Sequence, residues 1–444
     1  MSRKITVGAA LALALLMVAA SIPLTMMFAQ REQNKLIPNL PALIGKFTAL
    51  DEIQRKVNDN FFANPATDAV NAGMVRGYIA GLNDSESRYL NAEEYQSYTQ
   101  RLAGEEPELG IVLKYSPDVV GLVIDQVKAG STAAVSGLRP GDHIIKAESA
   151  GRELFNLPEV ESDKAAEEIA KFHESTSVSP DTASISITIT FKRGGNLQPP
   201  VNVMLGSAVS SISAELKDAN MGQEGTVPEL TVGYIKIFHF FKNTASQIEA
   251  AIKDLSNRGA VSYILDVRGC YEGNLDSVCA AIDLFAYVPQ DTGAIVTVHK
   301  KDGSTAPKSP SASNASNNMM SFTTGGWIAV LIDKRTSGVA ELFAYDLRAF
   351  NRGKVYLMGE PTRGINTVQD PFPLSSVGGA ALLTVGTLVP YGGDADWNKE
   401  GVQPNDVTAD ETAQGIVYRI SGAEQQLNGA LGLFAKLNQL NSGS

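Results

Sequence analysis

Between residues 231 and 359, short β-branched and aromatic runs alternate with amphipathic stretches. That alternation restricts the segment to a layered α/β arrangement. "TVGYIKI" (231–237), "VSYILDVRG" (261–269), "GAIVTVHK" (293–300), "GWIAVLID" (326–333) and "KVYLMG" (354–359) read as buried strands. "TASQIEAAIKDLSNRG" (244–259), "LDSVCAAIDLFA" (275–286) and "GVAELFAYDLRAFN" (338–351) carry apolar residues at helical spacing, the first closed by Gly259. Strand–helix repetition of this kind predicts a largely parallel sheet covered by helices. "ALLTVGTLVPY" (381–391) adds a strand, and residues 303–325, rich in Ser, Asn, Gly and Pro, read as a loop.

The period is different upstream. "IGKFTALDEIQRKVNDNFF" (44–62), "AVNAGMVRGYIAGL" (69–82) and "NAEEYQSYTQRL" (91–102) predict three helices, the last with Asn91 at its N-cap. From 107 to 207 short strands dominate. "LGIVLKY", "GLVIDQV" and the strictly alternating "SISITITFKR" predict a compact β module. It holds a short helix near 131 and a second over "SDKAAEEIAKFHE" (162–174), and "RELFNLPEVESD" (152–163) reads as an acidic loop. The predicted organisation is a membrane segment at 1–30, a helical region at 31–104, the β module at 105–208, the α/β core at 209–410 and a helical tail at 411–444. The fold class is α/β and α+β, multidomain.

The N-terminal run carries a second constraint. Arg3 and Lys4 precede residues 5–29, which hold no charge. About 20 apolar residues span a bilayer, whereas a cleaved signal has an apolar core of roughly 7–15. The length favours an uncleaved, single-pass signal anchor over a cleaved signal, with the bulk of the chain extracytoplasmic because the cations stay inside. The net charge is −11 and no long basic run occurs, which argues against a nucleic-acid surface. The four histidines are scattered and no CxxC occurs, so no metal site or cofactor is indicated. An exported chain could pair Cys270 with Cys279, and spacing alone leaves that open.

Several motifs, in order, carry a resemblance. "GLNDSESRYLNAEEY" (81–95), "ELGIVL" with "VKAGSTAAVSGLRPGDHIIKA" (108–147), "YILDVRG", "MGEPTRGINTVQDPFPL" (358–374) and "GVQPNDV" (401–407) are similar to segments of the carboxyl-terminal processing peptidases, or tail-specific serine proteases. The similarity runs from about 41 to 410. It implies a PDZ domain over the β module and a core sheet of the ClpP/crotonase-like type. It also implies a serine nucleophile on a strand-to-helix turn, a lysine base some two dozen residues later, an orienting glutamine, and an oxyanion hole of backbone N–H groups. In the PDZ, Leu109, Gly110, Ile111 and Val112 would take a peptide C-terminus as an added edge strand.

At the chemical positions this chain departs from the pattern. Anchored on Glu341, the nucleophile position is Gly338; anchored on "GEPTRGINTVQ", the base position is Ile365, followed by Asn366 and a retained Gln369. The Asn-Pro-Gly-Gly of the family is replaced by Cys270, Tyr271, Glu272 and Gly273. A carboxylate at 272 would repel a developing oxyanion. The expectation is a pseudoprotease that binds peptide or protein C-termini without hydrolysis, as a homo-oligomer or beside an active relative. The alternative is an active serine endopeptidase with its nucleophile relocated to Ser337.

Overall fold

The computed structural model describes Ser21 and residues 40–105, 109–128, 131–149, 152–156, 168–169, 172, 186–204, 210–219, 230–285, 294–309, 326–351, 353–392, 397–406 and 416–442. The anticipated signal anchor over 1–30 therefore lies, Ser21 aside, outside the described residues. So do His173 and most of the helix expected over 162–174. Among the described residues no helix is long and apolar enough to cross a membrane.

The chain divides into two units, 1–71 and 72–444. The first contributes the helix Leu40–Asn60, which leaves Phe47, Leu50 and Ile53 exposed. Among the described residues the second holds three sheets.

The central sheet has the order Val355–Gly359, Ile328–Ile332, Ser262–Asp266, Thr231–Ile237, Ile212–Asp218. The first four strands are parallel and the last runs antiparallel at the edge. Ser262–Asp266 and Ile328–Ile332 are buried at every position, as strands covered on both faces must be. Side chains alternate between the two faces. Ile328, Val330 and Ile332 join one core with Ile248, Ile252 and Phe343 from the helices Thr244–Asn257 and Val339–Phe350. Ala329 and Leu331 face a second core with Ala430, Leu431 and Phe434 of the helix Ala423–Ser442. Each large apolar side chain so buried contributes roughly 1.5–3 kcal/mol.

One strand expected in the parallel layer lies elsewhere. Val296–Lys300 pairs antiparallel with Ala380–Pro390 in a separate sheet, which also holds Arg88–Leu90, Thr305–Lys308 and Thr367–Pro373. Val296 and Val298 are buried while Thr297 is half-buried, the alternation of a strand covered on one face. Thr305–Lys308 is a strand rather than part of a loop, because the turn at 301–304 returns it onto Val296–Lys300.

The third sheet is the β module, ordered Ile111–Ser116, Gly121–Val127, His143–Ser149, Ser186–Arg193, Asn196–Leu197. Ile124, Ile144, Ile187 and Ile189 fill its core with Phe172. Arg152–Asn156, read from sequence as loop, pairs with His143–Ser149 and forms a strand. Among the described residues Ile111–Ser116 bonds only Gly121–Val127 and ends the sheet.

Candidate active site

The strand Ile328–Ile332 leads into a turn at 333–338 and then the helix Val339–Phe350. Asp333 folds that turn. Its Oδ1 accepts the N–H groups of Gly269 at 2.9 Å, Arg335 at 3.0 Å and Thr336 at 3.0 Å, while Arg335 Nε donates to Oδ2 at 3.0 Å. Burial alone would raise this carboxyl; the Arg335 guanidinium and the N–H donors outweigh it and hold Asp333 below the ordinary aspartate value. The Ser337 N–H donates to Cys270 O at 3.0 Å, which ties the turn to the loop after strand Ser262–Asp266.

Gly338 ends the turn with φ 61° and ψ −121°. Side chains rarely adopt that conformation, and glycine does so freely. A Cβ built there would meet nothing within 4 Å, so the position opens into space. Gly273, from the opposite loop, is packed close by: its Cβ would lie 3.0 Å from Val339 Cγ2.

Glu341 lies one turn into the helix and is fully buried. Its Oε2 accepts the N–H of Gly338 and of Ile365, each at 2.8 Å. Its Oε1 accepts the N–H of Gly364 at 2.7 Å and the hydroxyl of Thr362. Burial pushes this carboxyl above its ordinary value, against four donors that favour its ionised form. The positions that the resemblance assigns to nucleophile and base thus meet on one carboxylate. Ile365 is half-buried, and its carbonyl accepts Trp397 Nε1–H at 3.3 Å.

The remaining anticipated residues stand around this pair. Ser337 is buried, and among the described residues no lysine hydrogen-bonds its hydroxyl. Gln369 Nε2 donates to Thr367 Oγ1 at 2.9 Å and Thr384 Oγ1 at 3.4 Å, on its own sheet. Glu272 accepts Arg101 Nε at 2.8 Å and lies 3.9 Å from His239 Nδ1. The carboxylate expected to repel an oxyanion is therefore partly neutralised by a cation. Cys270 and Cys279 are free, buried thiols, each pushed up to about 12 by burial. Among the described residues no group of His, Cys, Asp and Glu side chains could hold a metal ion.

Leu109, Gly110, Ile111 and Val112 lie on the β module, at the start of its end strand. Gly110 has φ 79°, its carbonyl accepts Lys128 N–H at 2.8 Å, and an added Cβ would fall 2.2 Å from Ser131 Cβ. Only glycine fits there. A chain of charges joins this strand to the turn: Lys114 Nζ to Asp125 at 2.7 Å, Asp125 to Arg335 Nη1 at 3.7 Å, and Arg335 to Asp333.

Sequence reasoning missed one buried network at the carboxyl end of the parallel strands. Lys236 Nζ lies 3.1 Å from Asp266 Oδ1, Tyr234 donates to Oδ2 at 2.7 Å, and Arg268 grips both oxygens at 2.9 and 2.5 Å. Burial would raise Asp266, but Lys236 and Arg268 hold it well below the ordinary value. The signal was one lysine and one aspartate inside otherwise apolar strands.

Residues 231–408 match Peptidase family S41. The carboxy-terminal processing protease CtpA of Bacillus subtilis is 24% identical over 362 residues, covering 81% of this chain and 68% of that protein. A carboxyl-terminal-processing protease of Synechocystis is 26% identical over 339 residues, covering 74% of this chain and 69% of that protein. Among solved structures, a putative S41 protease from Bacteroides fragilis aligns over 87% of this chain and 92% of its own, at 16% identity and a TM-score of 0.49.

Proposed function

We propose that this chain, whose residues 231–408 match peptidase family S41, is a catalytically degenerate relative of the carboxyl-terminal processing proteases, one that holds peptides without cutting them. One observation supports the reading above the rest. At Gly338 the strand-to-helix turn presents open space and no side chain, and the facing position, Ile365, offers a branched hydrocarbon. Acyl transfer needs a nucleophile and a base that takes its proton; neither glycine nor isoleucine supplies one.

Peptide binding is assigned to the β module. Among the described residues its end strand Ile111–Ser116 pairs along one edge, and an extended peptide can add to the other through main-chain hydrogen bonds. We assign it the role of a PDZ domain that takes peptide or protein C-termini, with Leu109, Gly110, Ile111 and Val112 at the terminus. The uncharged run at 5–29 is the proposed single-pass anchor that places the remainder outside the membrane. A second copy or an active relative is the proposed partner.

Incubating the full chain with an unfolded protein and with a fluorophosphonate separates this from the alternative, an active peptidase using Ser337. Expected are peptide binding by calorimetry, no cleavage and no labelling. Cleavage or labelling abolished by Ser337→Ala rejects the reading.

A further inference from the structure

We propose that Glu341 is the positioning residue of this cleft: its carboxylate holds positions 338 and 365 in fixed register, so that the turn stays ready for chemistry its side chains no longer perform. Four observations carry this. One buried carboxylate collects donors from two chain segments more than twenty positions apart: Gly338 N–H on the turn, and Gly364 N–H, Ile365 N–H and Thr362 Oγ1–H on the facing segment. The two segments are also joined by Arg363 N–H to Thr336 O at 3.0 Å. Gly338 keeps φ 61° and ψ −121°, although glycine has no side chain to present from it. The space a side chain would enter is open.

A glycine left to itself costs little in many conformations. The conformation found is the one that Glu341 fixes by taking the Gly338 N–H. The same oxygen takes the Ile365 N–H, so a displacement of either segment lengthens a bond to the other. Glutamine would keep one acceptor oxygen and turn an NH2 group toward N–H donors.

The inference concerns the same positions as the proposed function, and peptide titration of the unaltered chain tests that function separately. The test uses the full chain carrying Gly338→Ser and Ile365→Lys with a fluorophosphonate probe. In the labelling step the introduced hydroxyl oxygen bonds to phosphorus and the P–F bond breaks. Fluoride leaves, and the hydroxyl proton passes to the introduced amine, neutral when it accepts. Labelling at least tenfold above the parent and above each single variant is expected. Adding Glu341→Gln should return it at least tenfold toward background. A folded double variant that does not label, or labelling undiminished by Glu341→Gln, overturns the proposal.

Should the double variant or Glu341→Gln fail to fold, Gly338→Cys and Thr362→Val carry the same reading. Iodoacetamide should alkylate the Gly338→Cys chain faster than the parent, whose two thiols are buried. Thr362→Val, which removes one donor from the same carboxylate, should lower the rate several-fold; an unchanged rate overturns the inference.

Discussion

The N–H of Gly338 and the N–H of Ile365 donate to the same atom, Glu341 Oε2, each at 2.8 Å. A strand-to-helix turn and a segment beyond the next strand are thereby locked together without any side chain from either position. Gly338→Ala tests how firmly. The new methyl enters open space, so sterics with neighbours cost nothing. The backbone at φ 61° is the whole cost, about 1–3 kcal/mol for a non-glycine residue. Urea unfolding should show a loss in that range with the m-value unchanged. No loss would mean that the turn relaxes and is not held.

The buried ion network gives an asymmetric prediction. Asp266 serves Lys236, Arg268 and Tyr234 at once. Asp266→Asn leaves two cations facing each other in the interior, whereas Lys236→Met leaves Asp266 still paired with Arg268. Breaking a buried pair costs about 3–5 kcal/mol when a charge is stranded. Denaturant midpoints should fall further for Asp266→Asn than for Lys236→Met. Asp266 is also held below its unfolded value, so its contribution is present above the unfolded pKa and is lost as pH falls through the folded one.

Asp346 has the opposite sign. It is fully buried, its Oδ1 accepts the Tyr391 N–H at 3.1 Å, and its Oδ2 has no hydrogen-bond partner among the described residues. Burial pushes its carboxyl well above the ordinary value. A raised carboxyl contributes stability that is fully present below the unfolded pKa of 3.8 and is lost as pH rises through the folded value. Asp346→Asn removes that dependence. The stability of the variant relative to the parent should therefore increase between the unfolded and folded pKa values, by at most about 1.4 kcal/mol per pH unit. Thermal melts across pH 4–8 read this directly; parallel pH profiles would refute it.

The central sheet was legible because it is doubly covered. Strands such as "IAVLI" are apolar at every position, and the helices between them carry a 3.6-residue period. Val296–Lys300 belongs to a different sheet from the one its sequence predicts, because a short apolar run does not state its partner. That partner, Ala380–Pro390, lies some 90 positions away and imposes the antiparallel register. Arg152–Asn156 was missed as a strand because "RELFN" is polar, and its pairing with His143–Ser149 rests on main-chain bonds that composition does not report. At the candidate site, Gly338, Ile365 and Glu341 were identifiable by spacing within motifs. That Glu341 takes donors from both other positions was not, since hydrogen bonds across 24 residues depend on the folded turn. Arg101 opposite Glu272 was likewise invisible, 171 positions away.

Gly110 offers a test of the β module. Its φ of 79° lies in the region that side chains disfavour, and a Cβ would stand 2.2 Å from Ser131 Cβ. Backbone strain of about 1–2 kcal/mol and overpacking of about 1–3 kcal/mol act together in Gly110→Ala. The strain falls where Leu109 O accepts Ala133 N–H and Gly110 O accepts Lys128 N–H, the bonds that set the start of the end strand. A displaced start misdirects the main-chain donors that would meet a peptide terminus. Gly110→Ala should therefore lower the unfolding midpoint and weaken calorimetric binding of a C-terminal peptide at least tenfold. Val135→Ser, at a position 84% exposed on the same module, should leave both unchanged. Binding that survives Gly110→Ala in a folded protein would remove the end strand from the peptide-binding role.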